Sequence, residues 1–345
     1  MKILLHSDHL RMVEKSGMGR AIYHQIKALE DNQIPYTTNK KEDYDIIHIN
    51  TVFPSSFFTS KFAKLSGKKV VYHAHSTEED FKNSFLGSNL FAPIYKRWIM
   101  SCYNSGDLII TPTPYSKRIL EGYGLKKPIV SISNGIDLDS FCKDDQGAKR
   151  FRAKYNFNES DKIIISAGLY IERKGILDFV ELAKLMPEYK FVWFGYTNLN
   201  TVSNQVKKAV NTKLPNLYFP GYVCKEELQD AYSGSDLFMF LTKEETEGIV
   251  LLEALAMKIP VLIRDIPIYE GWLTDGENVY KGSDIPEFQR KITGILNSEY
   301  PSLVEMGYTV VQEKNIKAVG KQLIKEYKKL MASSMEYTLT DAFYS

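Results

Sequence analysis

DLFMFLTKEETEGIVLLEALAMKIP, residues 236–260, runs from an apolar strand through a short acidic loop into an almost wholly apolar helix. The strand covers 237–241 and the helix about 248–257, where Glu253 is the single carboxylate among Ile249, Val250, Leu251, Leu252, Ala254, Leu255, Ala256 and Met257. A helix apolar on all sides is buried, and an unpaired carboxylate inside it is costly or shifts its pKa. Glu253 therefore needs a partner. In open α/β sheets ligands bind beyond the carboxyl ends of the strands, beside helix N-termini that attract phosphate. Glu245 lies in the loop, eight positions before Glu253. A purely structural reading also fits, because Glu244, Glu245 and Glu247 would each stabilise a helix N-terminus through its dipole.

Working outward, 237–241 belongs to a series of apolar strands at 162–167, 190–194, 217–219, 237–241 and 260–263. Helices at about 176–186, 225–234 and 248–257 intervene. An earlier series reads as strands at 2–7, 45–50, 69–75, 107–111 and 128–133, mostly separated by helical stretches. Alternation of this kind predicts βαβ units and parallel sheets, an α/β fold. The pattern breaks at Asn134-Gly135-Ile136-Asp137 and stays charged and uneven to about 160, which marks a hinge. The expected domains are 1–155 and 156–314. From about 284 the pattern is helical, and residues 315–330 carry apolar positions at 316, 319, 323, 324, 327 and 330.

The chain has 345 residues, enough for two domains. A composition of 44% hydrophobic and 25% charged residues describes a soluble globular protein. No run of 18 apolar residues is present, so no membrane span is expected, and MKILLHSDH reads as a first strand rather than a signal peptide. Cys102, Cys142 and Cys224 are odd in number and far apart, which fits a reducing cytosol and argues against a disulfide framework or a structural zinc. The first 150 residues hold 21 Lys and Arg against 16 Asp and Glu, and the remainder 23 against 26. Such a basic excess suits an anionic surface and is too small to indicate nucleic acid.

The loop after the first strand carries Ser16-Gly17-Met18-Gly19-Arg20. A dinucleotide fingerprint needs G-x-G-x-x-G tight against its strand, but position 22 is Ile. Glycines opening a helix still allow close approach to an anion; the alternative is a simple helix start. All six histidines (His6, His9, His24, His48, His73, His75) fall within the first 75 residues. His73 and His75 share one face by the two-residue period, but two ligands with no Cys or carboxylate cluster make a poor metal site. His48, between two isoleucines, reads as a structural histidine. His75 stands at a strand's carboxyl end. The loop 168–175 (GLYIERKG) also joins strand to helix, and Arg173 and Lys174 there are suited to neutralising a diphosphate or to simple solvation.

ETEGIVLLEALAMKIPV resembles the signature of the retaining glycosyltransferases of family four, E-x-F-G-(I/V)-x-x-x-E-A-x-A-x-G-x-P. The resemblance implies the GT-B fold: two Rossmann-like doubly wound domains facing a central cleft, with the last helix, about 315–345, rejoining the first domain. It further implies that Glu245 binds the donor sugar's hydroxyls, Glu253 the ribose, and the amides of Gly248, Ile249 and Val250 the diphosphate. Arg173 and Lys174 occupy the E-K-G loop, with a diphosphate and leaving-group role. His75, with His73 as the fallback, matches the histidine near the reaction centre, and Gly17 and Gly19 match a Gly-Gly pair near donor phosphate and acceptor. The implied chemistry is metal-independent front-face transfer with no covalent nucleophile and no cofactor, the UDP-sugar being a substrate.

The chain departs from the pattern at Met18, which splits the glycine pair, at Tyr170 or Leu169, where many relatives carry Arg after the first Gly, at Lys258 for Gly, and at Arg264-Asp265-Ile266-Pro267 before Glu270. With VVYHAHSTEEDFKNSF these variants resemble bacterial glycosyltransferases that build diacylglycerol glycolipids. That implies a UDP-hexose donor, a diacylglycerol or glucosyl-diacylglycerol acceptor and a peripheral position at the inner face of the cell membrane. Two stretches suit an anionic membrane surface: Phe53, Phe57, Phe58 and Phe62 among Lys61, Lys64, Lys68 and Lys69, and Phe81, Phe85, Leu86, Leu90, Phe91, Ile94, Trp98 and Ile99 with Lys82, Lys96 and Arg97. Both equally read as core faces of ordinary helices. Other acceptors, a nucleotide-sugar epimerase, or a non-catalytic binding module remain alternative readings.

Overall fold

The computed structural model describes residues 1–8 and 17–343, those after 332 by backbone alone. His9 and Ser16 lie outside the described residues. The chain forms two compact units: Met1–Glu78 with Pro93–Gly135 and Lys314 onward, and Glu79–Ala92 with Ile136–Glu313. The boundary falls at Gly135, so residues 136–155, expected in the first domain, group with the second unit. Segment 79–92, expected within the first domain, groups with the second unit because Asn83 and Arg173 share a backbone hydrogen bond of 3.2 Å and Leu86 donates to the carbonyl of Thr201 at 2.9 Å.

The first unit holds a six-stranded parallel sheet, β1 (Ile3–His6), β2 (Tyr36–Thr37), β3 (Ile46–Ile49), β4 (Lys69–His73), β5 (Leu108–Thr111) and β6 (Ile129–Ser131), ordered β2-β1-β3-β4-β5-β6. Helices cover both faces, so β1 and β3 are buried along their whole length, as continuous apolar runs require. One face packs Ile3, Leu5, Ile46, Val71 and Ile110 against Ile316, Val319, Leu323 and Tyr327 of the last helix, Ile316–Phe343. The other packs Leu4, Ile47, Ile49 and Tyr72 against Ile99, Cys102 and Tyr103.

The second unit repeats the plan with β7 (Ile163–Ala167), β8 (Lys190–Phe194), β9 (Leu217–Gly221), β10 (Leu237–Phe240), β11 (Val261–Arg264) and β12 (Tyr280–Gly282), ordered β12-β11-β10-β7-β8-β9. β7 and β10 lie side by side at its centre, and the loops that follow them carry the signature residues. β2 and β12 were not expected. Two or three residues show no readable period, and each strand exists only because a neighbour offers it an edge.

Candidate active site

The helix that carries the signature spans Ile249–Ala256 and is buried except for Val250, which is half-buried. Gly248 caps it at φ 86°, with its carbonyl accepting from Leu251 N–H at 2.9 Å. A Cβ at 248 would stand 2.8 Å from the Phe240 ring and 3.5 Å from Glu245 Cγ, so only glycine fits the turn. The Ile249 and Val250 amides precede the first acceptor the helix itself can offer, which makes this end attractive to an anion.

Lys174 and Glu245, 71 residues apart, form a close ion pair with side chains only 14% and 9% exposed. The Lys174 ammonium also lies 5.6 Å from the centre of the Phe240 ring. Burial pushes the Glu245 carboxyl up, but the charges of Lys174 and Arg173, with hydrogen bonds from Lys174 and the Thr246 amide, outweigh it and hold the group below its ordinary range. Lys174 reaches this place because Gly175 turns the chain at φ 83°, where a side chain would run into the carbonyl of Leu241.

Arg173 is turned inward. Its guanidinium lies 2.7 Å from Asp80, donates to the Glu244 carbonyl at 2.7 Å and reaches Ser84 Oγ from Nε at 3.1 Å. Its own carbonyl accepts from Lys243 N–H at 2.8 Å. Burial raises the Asp80 carboxyl; Arg173 opposes the shift and the nearby Glu245 adds to it. Each of the two cations expected in this loop thus lies against a carboxylate. Glu253, fully buried, accepts from the Tyr232 hydroxyl at 3.2 Å, and the same hydroxyl reaches the Val250 carbonyl at 3.1 Å.

In the first unit, Gly17 and Gly19 lie in the first turn of the helix Gly17–Asp31. Its Gln25 and Asn50, just beyond β3, form a reciprocal amide pair of 2.8 and 2.9 Å. His75 Nε2 lies 2.9 Å from Asn50 Oδ1, and the His73 and His75 rings stack at 4.2 Å with 2° between their planes, on one face as the strand period requires. His48 is fully buried between His73, at 3.1 Å, and the Tyr327 hydroxyl, at 2.5 Å. Burial lowers His48 and His75 to about 3 and also holds His73 well below the ordinary imidazole range.

With this geometry in hand, the chain is 40% identical over 332 residues to the processive diacylglycerol alpha-glucosyltransferase of Acholeplasma laidlawii, covering 96% of this chain and 99% of that protein. The chain belongs to this glycosyltransferase family. Residues 147–312 match the family described as Glycosyl transferases group 1, and residues 36–140 match Glycosyltransferase Family 4. Alpha-galactosylglucosyldiacylglycerol synthase of Streptococcus pneumoniae is 26% identical over 262 residues, 74% of this chain and 69% of that one. Among solved structures, Anabaena Alr3699/HepE in complex with UDP and glucose superimposes with a TM-score of 0.74 at 14% identity, over 95% of this chain and 99% of that one. Sucrose-phosphate synthase of Thermosynechococcus elongatus gives 0.76 at 16% identity, over 96% and 100%. The fold is therefore GT-B.

Within the glycosyltransferase, the signature loops bring Arg173, Lys174, Glu245 and Gly248 into one cluster of the second unit, while His75, Gly17 and Gly19 belong to the first. Lys258, at the family's glycine position, adopts φ 53°, and the N–H groups of Lys258 and Ile259 return to the carbonyls of Leu255 and Ala254. This is the left-handed helix stop that glycine normally fills. Sequence reasoning missed Asp80, Ser84, Tyr232, Gln25 and Asn50. Asn50 left one legible trace, a polar residue ending an otherwise apolar strand; the others are met only in space.

Both aromatic stretches prove divided. Ile99 is fully buried and Phe57 packs on Trp98 at 5.6 Å, so these serve the core. Phe58, Phe62, Leu86, Leu90, Phe91 and Ile94 are each more than half exposed. No helix among the described residues is long and apolar enough to cross a membrane.

Proposed function

We propose that this glycosyltransferase moves a hexose, glucose in preference to galactose, from a UDP-sugar to diacylglycerol or glucosyl-diacylglycerol with retention at the anomeric carbon. The observation that carries the reading is the nearly full-length similarity to a processive diacylglycerol alpha-glucosyltransferase. The buried Lys174–Glu245 pair at the carboxyl ends of the central strands supports it. In this reading Glu245 holds the sugar hydroxyls and Glu253 the ribose. Lys174, with Arg173 behind it and the Gly248, Ile249 and Val250 amides, faces the diphosphate. As the sugar–phosphate bond breaks, negative charge grows on the leaving diphosphate, and cations and amides already in place stabilise it without solvent reorganisation. The acceptor hydroxyl oxygen attacks from the face the diphosphate leaves as the sugar–phosphate bond breaks, its proton passes to the leaving diphosphate oxygen, and no residue forms a covalent link to the sugar. His75, Gly17 and Gly19 serve the first unit's side of the reaction. Half-exposed Phe58, Phe62 and Ile94, with Lys61 and Arg97 nearby in sequence, lie against an anionic membrane surface, at the cytoplasmic face.

The test is transfer of radiolabel from UDP-glucose and from UDP-galactose, separately, into anionic vesicles with and without glucosyl-diacylglycerol. Label entering lipid from UDP-glucose is the expected result. Label entering only from UDP-galactose corrects the donor. UDP binding without any labelled lipid overturns the acceptor, and absence of UDP binding overturns the donor site as well.

A further inference from the structure

A neutral imidazole carries one donor and one acceptor nitrogen, and its partners decide which is which. Around His75 the first unit builds a continuous buried chain that makes this decision. The Tyr327 hydroxyl meets His48 Nδ1, His48 Nε2 meets His73 Nδ1, and Gln25 Nε2 reaches the same His73 nitrogen at 2.9 Å. The second N–H of that Gln25 amide donates to Asn50 Oδ1, and Asn50 Nδ2 donates back to Gln25 Oε1. Asn50 Oδ1 then stands 2.9 Å from His75 Nε2. Every one of these groups except His75 is at least nine-tenths buried.

The sense of the chain follows from the orientation of the Asn50–Gln25 amide pair. An amide oxygen only accepts, so the His75 proton sits on Nε2 and Nδ1 keeps the lone pair. Asn50 cannot turn over alone, because that would set N–H against N–H and oxygen against oxygen across the pair with Gln25. In this orientation of the pair the Gln25 N–H points at His73 Nδ1, 2.9 Å away, which makes that nitrogen the acceptor. Burial keeps all three rings neutral, so the distinction is between tautomers and not between charge states.

We propose that Asn50, locked by Gln25, is a positioning residue for the transfer reaction: it fixes His75 as the Nε2–H tautomer and leaves Nδ1 as the unprotonated nitrogen at the end of β4. The proposal rests on the reading of His75 as a site residue. It extends the functional unit to residues on the glycine-opened helix and beyond β3, and through Tyr327 to the last helix.

The test combines kinetics with the tautomer itself. In long-range 1H–15N spectra of the labelled full chain, assigned by the signal lost in His75→Ala, His75 is expected to show a protonated Nε2 and an unprotonated Nδ1. Asn50→Ala should draw the two nitrogen shifts together as the tautomers interconvert. With UDP-glucose and anionic diacylglycerol vesicles, kcat should fall at least tenfold while the KM for UDP-glucose stays within twofold. Asn50→Ala combined with His75→Ala should lose no more than His75→Ala alone. Gln25→Ala, read by the same spectra, serves if Asn50→Ala does not fold. Full activity in His75→Ala overturns the site reading itself. A large loss in His75→Ala with silent Asn50→Ala and Gln25→Ala, or with multiplying effects, overturns the positioning role alone. A wild-type proton on Nδ1 overturns the assigned sense.

Discussion

Replacing Lys174 with Met keeps most of the length of the side chain and removes its charge, leaving Glu245 buried beside Phe240 with its main partner gone. The pair is at most 14% exposed, so solvent does little to screen the change. Deleting one member of a buried ion pair costs about 3–5 kcal/mol, because the remaining charge keeps its desolvation penalty. For a unit of this size that lowers the melting temperature by roughly 6–20 °C. The loss should depend on pH with a definite sign. In the wild type the Glu245 carboxyl lies below its unfolded value. It therefore contributes stability above the unfolded pKa, and this is lost as pH falls through the folded one. In Lys174→Met burial dominates and the folded pKa rises above the unfolded value. The penalty is then full near pH 7.5 and relieved as falling pH protonates Glu245. Denaturation midpoints of both proteins at pH 7.5 and 5.0 check this, and Lys174→Met/Glu245→Gln should recover most of the stability while staying inactive. A deficit under about 1 kcal/mol, or one equal at both pH values, refutes the argument that Glu245 is a buried anion held down by Lys174.

His48 and His73 are neutral when folded, whereas in the unfolded chain they take up protons near pH 6.5, so acid favours unfolding. Each ring should cost about 2 kcal/mol at pH 5, visible as a falling denaturation midpoint between pH 7 and 5, and a flat profile contradicts it. Lys258→Gly relieves a left-handed non-glycine residue but gives up an exposed ion pair with Glu305. Thermal melts should show no loss and a gain of up to about 1 kcal/mol, and a clear loss means the pair outweighs the backbone. Phe58→Ser with Phe62→Ser removes two side chains more than half exposed. Stability should hold within roughly 0.5 kcal/mol while partitioning onto anionic vesicles drops about tenfold or more; unchanged partitioning removes this face from the membrane reading.

The alternation of apolar strands with helices determined both sheets apart from the edge strands β2 and β12, because a strand buried on two faces must be apolar along its length and that is visible one residue at a time. The helix Ile249–Ala256, the glycine before it and the spacing of Glu245 and Glu253 were legible for the same reason: their constraints are local. Lys258 was legible as a departure, though only its φ of 53° says what the family's glycine does there.

What the tertiary structure decided lies between residues far apart in the chain. Lys174 meets Glu245, Arg173 turns to Asp80, and Gln25, Asn50 and Tyr327 join the His48–His73–His75 group; apart from His73 with His75 and His48 with Asn50, which share the strand period of two, these partners stand at no spacing that a helical or strand period could announce. Parallel strands place their carboxyl ends side by side whatever the length of chain between them. The partners of a buried charge are therefore set by strand order, and sequence separation carries no trace of it.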